Sequence, residues 1–401
     1  MRTGTSALLI CCCALTGFAR EEYKRDFQKT LSLPGGRSLR VDHSNGSVNI
    51  RTAAKNEVAI QADIRCSADT AAEARSFAEQ IQVRVEESGS GIVVRTEYPK
   101  TWTRRNISCS VNYEITMPET APLELRNRFG AVTVQNLHAA GAIHNANGNV
   151  TFLSGRGRQR IDNAFGNVEV AANDGDVTVV SANGWVRASD ITGTVEITGR
   201  FGDVRVSNAG QGLTVHGGNG KVDVEHVAGL ATITNSFGDV RVWDAKSDLA
   251  VQNQNGKVDA NHVAGKAELH TTFAPVKFSG IGKTLAVRAQ NSSITGDSVG
   301  ESATVETTFG SVDLRGVKGG ARVTAGNSAI RLTDISGEVY AKTTFAGTTI
   351  EGAAGPVTVE SGNGSVTVAS RPGAPCKPIL LRTTFAPIRV TVPGNVGYTL
   401  S

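Results

Sequence analysis

The chain has 401 residues, of which 45 are glycine, 5% are aromatic and 19% are charged. Its valines and isoleucines recur too regularly for a disordered glycine-rich polymer, so a folded protein is expected. The net charge of +4 does not require a nucleic-acid partner, and no apolar run approaches the roughly 18 residues that span a bilayer.

The first 19 residues have the pattern of a secretory signal peptide. Arg2 precedes a short apolar run, Ala7–Leu15, and small residues near Ala19 suit a cleavage site. We therefore predict that residues 1–19 are a signal peptide and that the protein is exported, to the periplasm, the cell envelope or the medium. A lipidated cysteine among Cys11–Cys13 is the alternative, which the absence of a small residue before them disfavours.

Residues 20–126 are predicted to form a β-rich capping region. Thr70 and Glu73 make a capping box, and an apolar face follows it, so one helix is predicted over 70–81. A helix lying across strands suits a cap that covers the open edge of a stack of strands. Strand-like alternation occupies six stretches of this region, Ser38–Asp42, Ser47–Thr52, Glu57–Arg65, Gln82–Glu86, Gly91–Glu97 and Ser110–Met117.

Three cysteines follow the predicted signal peptide. Cys66 and Cys109 lie in predicted strands of the capping region, and the sequence leaves open whether they form a disulfide or remain two buried thiols. Cys376 lies in a proline-rich insertion, Arg371–Pro378, and is expected to be unpaired.

Residues 127–401 are organised by a repeat. One phrase begins with phenylalanine and returns every 36 residues, and a second begins with asparagine and falls midway between; only the last phenylalanine is four residues late. The phenylalanines are Phe129, Phe165, Phe201, Phe237, Phe273, Phe309, Phe345 and Phe385, and the asparagines are Asn147, Asn183, Asn219, Asn255, Asn291, Asn327 and Asn363. So long a fixed period indicates a stacked-repeat fold.

One unit, Gly199–His216, contains two short stretches of period-two alternation separated by turn residues. Each unit is therefore predicted to carry two strands with valine, isoleucine, leucine or alanine facing inward. We predict an all-β parallel solenoid of about fifteen 18-residue coils, about 70 Å long at the usual strand spacing. The phrase Asn45–Val48 resembles the repeat but stands out of phase with it, so it is interpreted as an early strand.

The choice between coils of 18 and 36 residues follows from charge. The outward series Asp203, Lys221, Asp239, Lys257 alternates in sign at 18-residue steps, and Arg205 begins a second alternating series. Coils of 36 residues would stack like charges, which is destabilising. We therefore predict that residue n lies beside residue n+18.

The alternation of phenylalanine with asparagine is predicted to follow one corner of the solenoid. We hypothesise that each ring needs the width of two coils, so the intervening coil carries the smaller asparagine, which also tolerates left-handed turn geometry.

No catalytic or metal-binding constellation is evident. His226 and His262, and likewise His144, His216 and His270, recur two or more coils apart, too far for joint coordination at about 2 Å per bond. The Asp174-Gly-Asp176 turn lacks the repeated calcium nonapeptide. The basic turn of Arg156, Arg158 and Arg160 is expected to be a solvated corner, with contact to anionic lipid or acidic polysaccharide as the alternative.

Taken together, these features resemble the bacterial "putative adhesin" family of secreted β-solenoids, a domain of unknown function. The resemblance rests on the lead-in Leu33–Val41, the strand–helix–strand stretch that closes with Val111–Pro118, and the recurring Asn/Phe-Gly-x-Val units. It covers nearly the whole chain after residue 19, and it implies a fold without implying any functional residue.

We therefore expect a non-catalytic secreted or cell-envelope protein that acts as an adhesin-like binding or scaffold surface, without cofactor or metal. Its partner is expected among polysaccharides, envelope components and proteins. Two alternatives remain at this stage: a carbohydrate-active β-helix enzyme, whose paired carboxylates would cleave sugars, and a periplasmic envelope-stress component.

Overall fold

A computed structural model describes residues 20–99, 106–394 and 397–399. The predicted signal peptide and Cys11–Cys13 lie outside these residues. The described chain is almost entirely β-structure, with 37 strands and one helix.

The N-terminal elements are β1 (Glu21–Ser32), β2 (Ser38–Asp42), β3 (Val48–Ala53), β4 (Glu57–Ala68), α1 (Ala71–Gln80), β5 (Gln82–Ser88), β6 (Gly91–Glu97) and β7 (Ser108–Pro118). The next strands are β8 (Leu123–Phe129), β9 (Val132–Gln135), β10 (Gly141–Asn147), β11 (Val150–Arg156), β12 (Gln159–Phe165), β13 (Val168–Asp174), β14 (Val177–Asn183), β15 (Val186–Ile191), β16 (Val195–Phe201), β17 (Val204–Ala209), β18 (Leu213–Asn219), β19 (Val222–Val227), β20 (Ala231–Phe237), β21 (Val240–Ala245) and β22 (Leu249–Asn255). The remaining strands are β23 (Val258–Val263), β24 (Ala267–Thr271), β25 (Val276–Ile281), β26 (Leu285–Ala289), β27 (Ile294–Val299), β28 (Ala303–Phe309), β29 (Val312–Val317), β30 (Ala321–Asn327), β31 (Ile330–Ile335), β32 (Val339–Thr343), β33 (Thr348–Ala353), β34 (Val357–Ser361), β35 (Val366–Ser370), β36 (Ile379–Arg382) and β37 (Ile388–Thr391).

From β8 onward each coil contributes one even-numbered and one odd-numbered strand, and the pairs from β8/β9 to β36/β37 make fifteen coils, numbered 1 to 15 below. The even-numbered strands pair in parallel to form one sheet, here called the even sheet, and the odd-numbered strands form a second, the odd sheet. The predicted parallel β-solenoid of about fifteen coils is confirmed.

The register between coils is 18 residues. Val222 lies opposite Val204 on one side and Val240 on the other. Arg205 lies opposite Asp223, with an ion-pair distance of 3.0 Å. The predicted 18-residue coil is confirmed by this register. The alternation of charge is not complete, because Arg187 lies opposite Arg205.

The core runs between the two sheets without a break. In coil 5, Val204 and Val206 of β17 face inward and are no more than 2% exposed, as is Val215 of β18 in the next coil. Burying one such side chain contributes about 1.5–3 kcal/mol, whereas an exposed ion pair contributes about 0–1 kcal/mol. The stacked aliphatic rows therefore hold the solenoid together, and the exposed ion pairs contribute little to its stability.

The N-terminal region closes one end of the stack and also joins it. Strand β2 lies between β6 and β8, and β3 lies between β7 and β9, all in parallel pairs. Asn45 is bridged to Phe129, so the Asn45–Val48 phrase lies level with the repeats. The phrase is out of phase in sequence because the chain between β3 and β8 is inserted between adjacent coils, and Val48 begins β3, so its interpretation as an early strand is confirmed. The division at residue 127 remains a prediction, while the parallel ladders extend past it.

Antiparallel strands end both sheets at this side. Strand β4 pairs antiparallel with β7 and with β1, and β5 pairs antiparallel with β6. The helix α1 begins after Thr70, whose Oγ1 accepts a hydrogen bond from the Glu73 amide at 3.2 Å. Phe77 and the alanines at 74 and 78 are buried, and the helix packs against β1 and β4. Charged residues along β1 make it a poor template for further strand pairing.

The structure joins Cys66 and Cys109 in a disulfide. The two residues face each other directly across β4 and β7 and are each 1% exposed. Cys376 is a free, exposed cysteine.

Two corners of each coil differ in backbone conformation. At the corner after the Phe/Asn position, Gly148 and Gly166 have φ of +134° and +116°, and a Cβ on Gly166 would overlap the Gly148 carbonyl oxygen. At the end of the odd strand, coils 1 to 13 each have one left-handed residue, with φ between 55° and 70°. That column comprises Asn136, Ser154, Ala172, Asp190, Asn208, His226, Asp244, His262, Gly280, Ser298, Gly316, Asp334 and Gly352.

Candidate binding surface

The Phe/Asn corner forms a row along the solenoid, here called the aromatic row. Phe165 lies opposite Asn147 and Asn183 in the neighbouring coils, and this pattern repeats along the even sheet. The phenylalanines of coils 1 to 13 are 47–61% exposed, and Phe385 in the last coil is 84% exposed. The rings are thus half covered and half open to solvent, about 9.6 Å apart at two strand spacings.

Asparagine side chains in this row bind the backbone of the preceding coil. The Asn147 amide donates to the Arg128 carbonyl at 3.3 Å, and the Asn183 amide donates to the Ala164 carbonyl at 3.4 Å. A second asparagine column lies inside the same corner, where Asn163 is 3% exposed and its amide donates to the Gly148 and Gly166 carbonyls at 3.1 and 2.9 Å. The inner column satisfies turn carbonyls, a role that the sequence analysis missed although its 18-residue spacing is visible.

The carboxylates with displaced pKa values in the described chain are all stabilised as anions. The Lys246 and His226 side chains hold the pKa of Asp244 below its usual value. Burial raises the pKa of Asp259, but hydrogen bonds from Lys257 and Asn261 outweigh it and the pKa is lowered. Backbone and side-chain bonds from Thr194 lower that of Asp176, and Arg65 lowers that of Asp63. A general acid that cleaves sugars needs the opposite shift.

Three histidines of the repeat contact side chains of an adjacent coil. His226 Nδ1 lies 2.8 Å from Asp244 Oδ2, and His144 Nδ1 lies 2.9 Å from Asp162. The His262 ring packs against Trp243 with centroids 4.6 Å apart. Within the described ranges, no group of three or more His, Cys, Asp or Glu side chains is arranged to hold a metal ion.

The basic turn of coil 2 is neutralised by its neighbours. Arg156 lies 3.4 Å from Asp174, Arg158 lies 3.8 Å from Asp176, and Arg160 lies 3.1 Å from Asp162. These arginines therefore present little net positive charge. Asp174 and Asp176, the residues of the calcium-like turn, serve as their counter-ions.

A trough of about 540 Å³ lies on the outer face of the even sheet, here called the alanine trough. Its lining includes Ala146, Ala164 and Ala182 from successive coils, with Arg128 in coil 1 and Arg200 in coil 5 at the two ends. The concavity arises because three small side chains follow one another between two long ones. Four coils separate the arginines, about 19 Å at the strand spacing.

The two end arginines differ from those of the basic turn. Among the described residues, no carboxylate lies within 4.0 Å of the guanidinium of Arg128 or Arg200. His144 and Asp162 lie in the same lining. The trough thus offers a cation without an ion-pair partner at each end, whereas the charged residues between them, Arg126 and Asp162, are each paired. The sequence contains this Arg-Ala-Ala-Ala-Arg series at 18-residue spacing, one position before the aromatic row, but the trough was not predicted from it.

None of the helices in the described part of the chain has the length and apolarity needed to cross a bilayer.

Comparisons place the chain among known proteins. No curated protein matches it. A crystal structure of a "putative cell adhesion protein" from Clostridium sporogenes is similar, with 10% sequence identity, a TM-score of 0.25, and coverage of 55% of this chain and 99% of that one. At that TM-score the likeness carries no argument. The family described as Toastrack DUF4097 matches residues 37–272, more than half of the chain. The chain therefore belongs to the Toastrack DUF4097 family.

Proposed function

We propose that this protein is a non-catalytic, exported β-solenoid that acts as an adhesin-like binding or scaffold surface, and that the alanine trough binds an acidic polysaccharide. The observation that carries the proposal is the pair of unpaired guanidinium groups, Arg128 and Arg200, at the two ends of the trough. Guanidinium groups bind carboxylates and sulfates in a forked geometry.

The shape of the trough suits an extended polymer. Its floor is built from parallel strands, which run across the solenoid, so the trough itself follows the solenoid axis from coil to coil. A chain lying along it would meet an arginine at each end and three alanines between, with Arg126, His144 and Asp162 also in the lining. Its anionic groups would supply the counter-charges that the protein does not.

The non-catalytic part of the proposal is supported by the carboxylates. The pKa values of Asp63, Asp176, Asp244 and Asp259 are all lowered, chiefly by hydrogen bonds from neighbouring residues. A sugar-cleaving acid must hold its proton near neutral pH. These side chains instead remain charged and bound to their neighbours.

The test is calorimetric titration of the purified chain lacking residues 1–19 with polygalacturonate, and with dextran as the neutral comparison. We expect binding to polygalacturonate that weakens with added salt, and none to dextran. Replacing both end arginines (Arg128→Gln, Arg200→Gln) should weaken binding at least tenfold. The matched control replaces two arginines whose partners lie outside the trough (Arg156→Gln, Arg158→Gln) and should change it little.

Three outcomes would overturn the proposal. Equal binding of dextran would remove the role of charge, and full binding by the Arg128→Gln, Arg200→Gln variant would place the site elsewhere. Release of shortened sugars from any polysaccharide during incubation would show that the protein is an enzyme.

A further inference from the structure

The aromatic row has a charged column beside it. Two residues after the Phe/Asn position, coils 5 to 8 carry Asp203, Lys221, Asp239 and Lys257. In these four coils the charge in the column alternates in step with the residue in the row. Coils with a phenylalanine carry aspartate, and coils with an asparagine carry lysine. Coils 5 and 7 therefore present Phe and Asp, and coils 6 and 8 present Asn and Lys.

Much of this column has no ion pair within its own chain. Among the described residues, Asp203, Lys221 and Asp239 have no opposite charge within 4.0 Å. Asp203 and Asp239 each accept one backbone hydrogen bond, from the amides of Lys221 and Lys257, at 2.9 and 3.0 Å. Only Lys257 is paired, with Asp259 at 2.6 Å. Charged groups remain free to meet a partner.

We propose that the aromatic row and its charged column are the contact surface for a second copy of this chain, packed side by side and antiparallel, with the two-fold axis between coils 6 and 7. About such an axis, coil n of one copy faces coil 13 − n of the other. Every odd coil then faces an even coil, so each phenylalanine ring lies opposite an asparagine of the partner copy. In the same register, Asp203 faces Lys257 and Lys221 faces Asp239, which makes four ion pairs across the two-fold axis.

The register extends to the N-terminal coil. Asn45 occupies the Phe/Asn position one coil before Phe129. It would therefore face Phe345, and all seven phenylalanines from coil 1 to coil 13 would face asparagine. Shifting the two copies by one coil would instead set ring against ring and Asp against Asp, which is unfavourable on both counts.

A second copy is favoured over other partners because its repeat is identical. A row of rings at a constant two-coil step is matched over seven steps only by a partner with the same step, and another solenoid of this sequence has it by construction. Half-exposed rings in so long a line exceed what scattered surface residues explain.

The test is the mass in solution of the chain lacking residues 1–19, measured by sedimentation equilibrium. We expect a dimer for the wild type. An acidic variant (Lys221→Glu, Lys257→Glu) and a basic variant (Asp203→Lys, Asp239→Lys) should each be monomeric, because each would face its own sign. Mixing the two in equal amounts should restore the dimer, a result that misfolding of either variant would prevent.

A second pair of variants tests the rings. Phe201→Asn with Phe237→Asn should weaken dimerisation at least tenfold, and asparagine already occupies this position in the adjacent coils, so the fold is retained. Phe385→Asn, whose coil lies beyond the overlap, is the matched control. A monomeric wild type at every attainable concentration, or a mixture of charge variants that stays monomeric, would overturn the proposal. Neither result bears on polysaccharide binding, since no variant here alters Arg128 or Arg200.

Discussion

His43 is the most strongly perturbed histidine in the described chain. It is 4% exposed, its Nδ1 lies 3.0 Å from Thr96 Oγ1, and its ring meets the Tyr113 ring edge-on at 5.0 Å. Burial lowers the pKa of His43 from 6.5 to about 4, against weaker opposing hydrogen bonds with the backbone. The neutral ring is therefore part of the packing between the cap and the first coils.

This pKa predicts an acid-sensitive stability. Between pH 6.5 and pH 4 His43 binds a proton in the unfolded chain but not in the folded chain. The stability that the neutral His43 ring contributes is therefore complete above pH 6.5 and is lost as the pH falls. The loss between pH 7.5 and pH 4 should be about 3 kcal/mol. Urea unfolding at both pH values measures it. His43→Gln should reduce the pH dependence by that amount, whereas His270→Gln, at an exposed position, should not.

Asn219 tests the proposed reason for the alternation in the aromatic row. It lies opposite Phe201 on one side and Phe237 on the other. Asn219→Phe would place three rings at successive coils, about 4.8 Å apart, and overpacking of this kind costs about 1–3 kcal/mol. Thermal unfolding should show a lower midpoint for Asn219→Phe than for Asn219→Ala. Equal midpoints would mean that the rings do not limit each other.

Sequence predicted some residues well and others poorly, for a physical reason. Periodic positions such as the Phe/Asn row were found because equal environments recur every 18 residues. The buried ring of His43 and the unpaired charge of Arg128 were not, because each depends on which residues of neighbouring chain segments lie against it. Such differences are invisible in a repeat, which reports only what the coils share.

At the scale of elements, the cap depends on a cross-link between two of its strands. Strands β4 and β7 carry Cys66 and Cys109 at directly opposed positions, 43 residues apart in sequence. Strand identity and the helix α1 followed from alternation and capping signals. Strand β1, the antiparallel pairings and the insertion of β2 and β3 into the stack did not, because pairing partners distant in sequence leave no local pattern.

Removing this cross-link should destabilise the cap. Closing a loop of this length stabilises the folded state by about 4 kcal/mol in the chain-entropy estimate. Cys66→Ala with Cys109→Ala should therefore lower the unfolding free energy of the cap by up to that amount, measured by denaturant titration under non-reducing conditions. Cys376→Ser should leave it unchanged. A reductant should destabilise the wild type but not the double variant, and equal sensitivity would argue against the bond.

At the scale of the whole molecule, the solenoid behaves as a line of coils in which each touches only its neighbours. Its architecture, coil length and coil number were predictable from sequence because one rule governs every contact. The alternation adds a second rule, since the true chemical repeat is a pair of coils even though the structural repeat is one. The free energy of unfolding should therefore depend on whether Phe and Asn coils still alternate, as well as on the number of coils.

Two deletions separate the alternation of the coils from their number. Removing residues 219–236 deletes one coil and brings Phe201 against Phe237, Asp203 against Asp239 and Arg205 against Arg241. Removing residues 201–236 deletes two coils and sets Asn183 against Phe237, which preserves the alternation. Loss of buried surface alone would make the larger deletion less stable. Because ring overpacking costs about 1–3 kcal/mol and opposed like charges add to it, we expect the smaller deletion to unfold at the lower temperature. Calorimetry of the two proteins shows which one unfolds at the lower temperature. A higher midpoint for the one-coil deletion would show that the alternation of Phe and Asn coils does not contribute to stability.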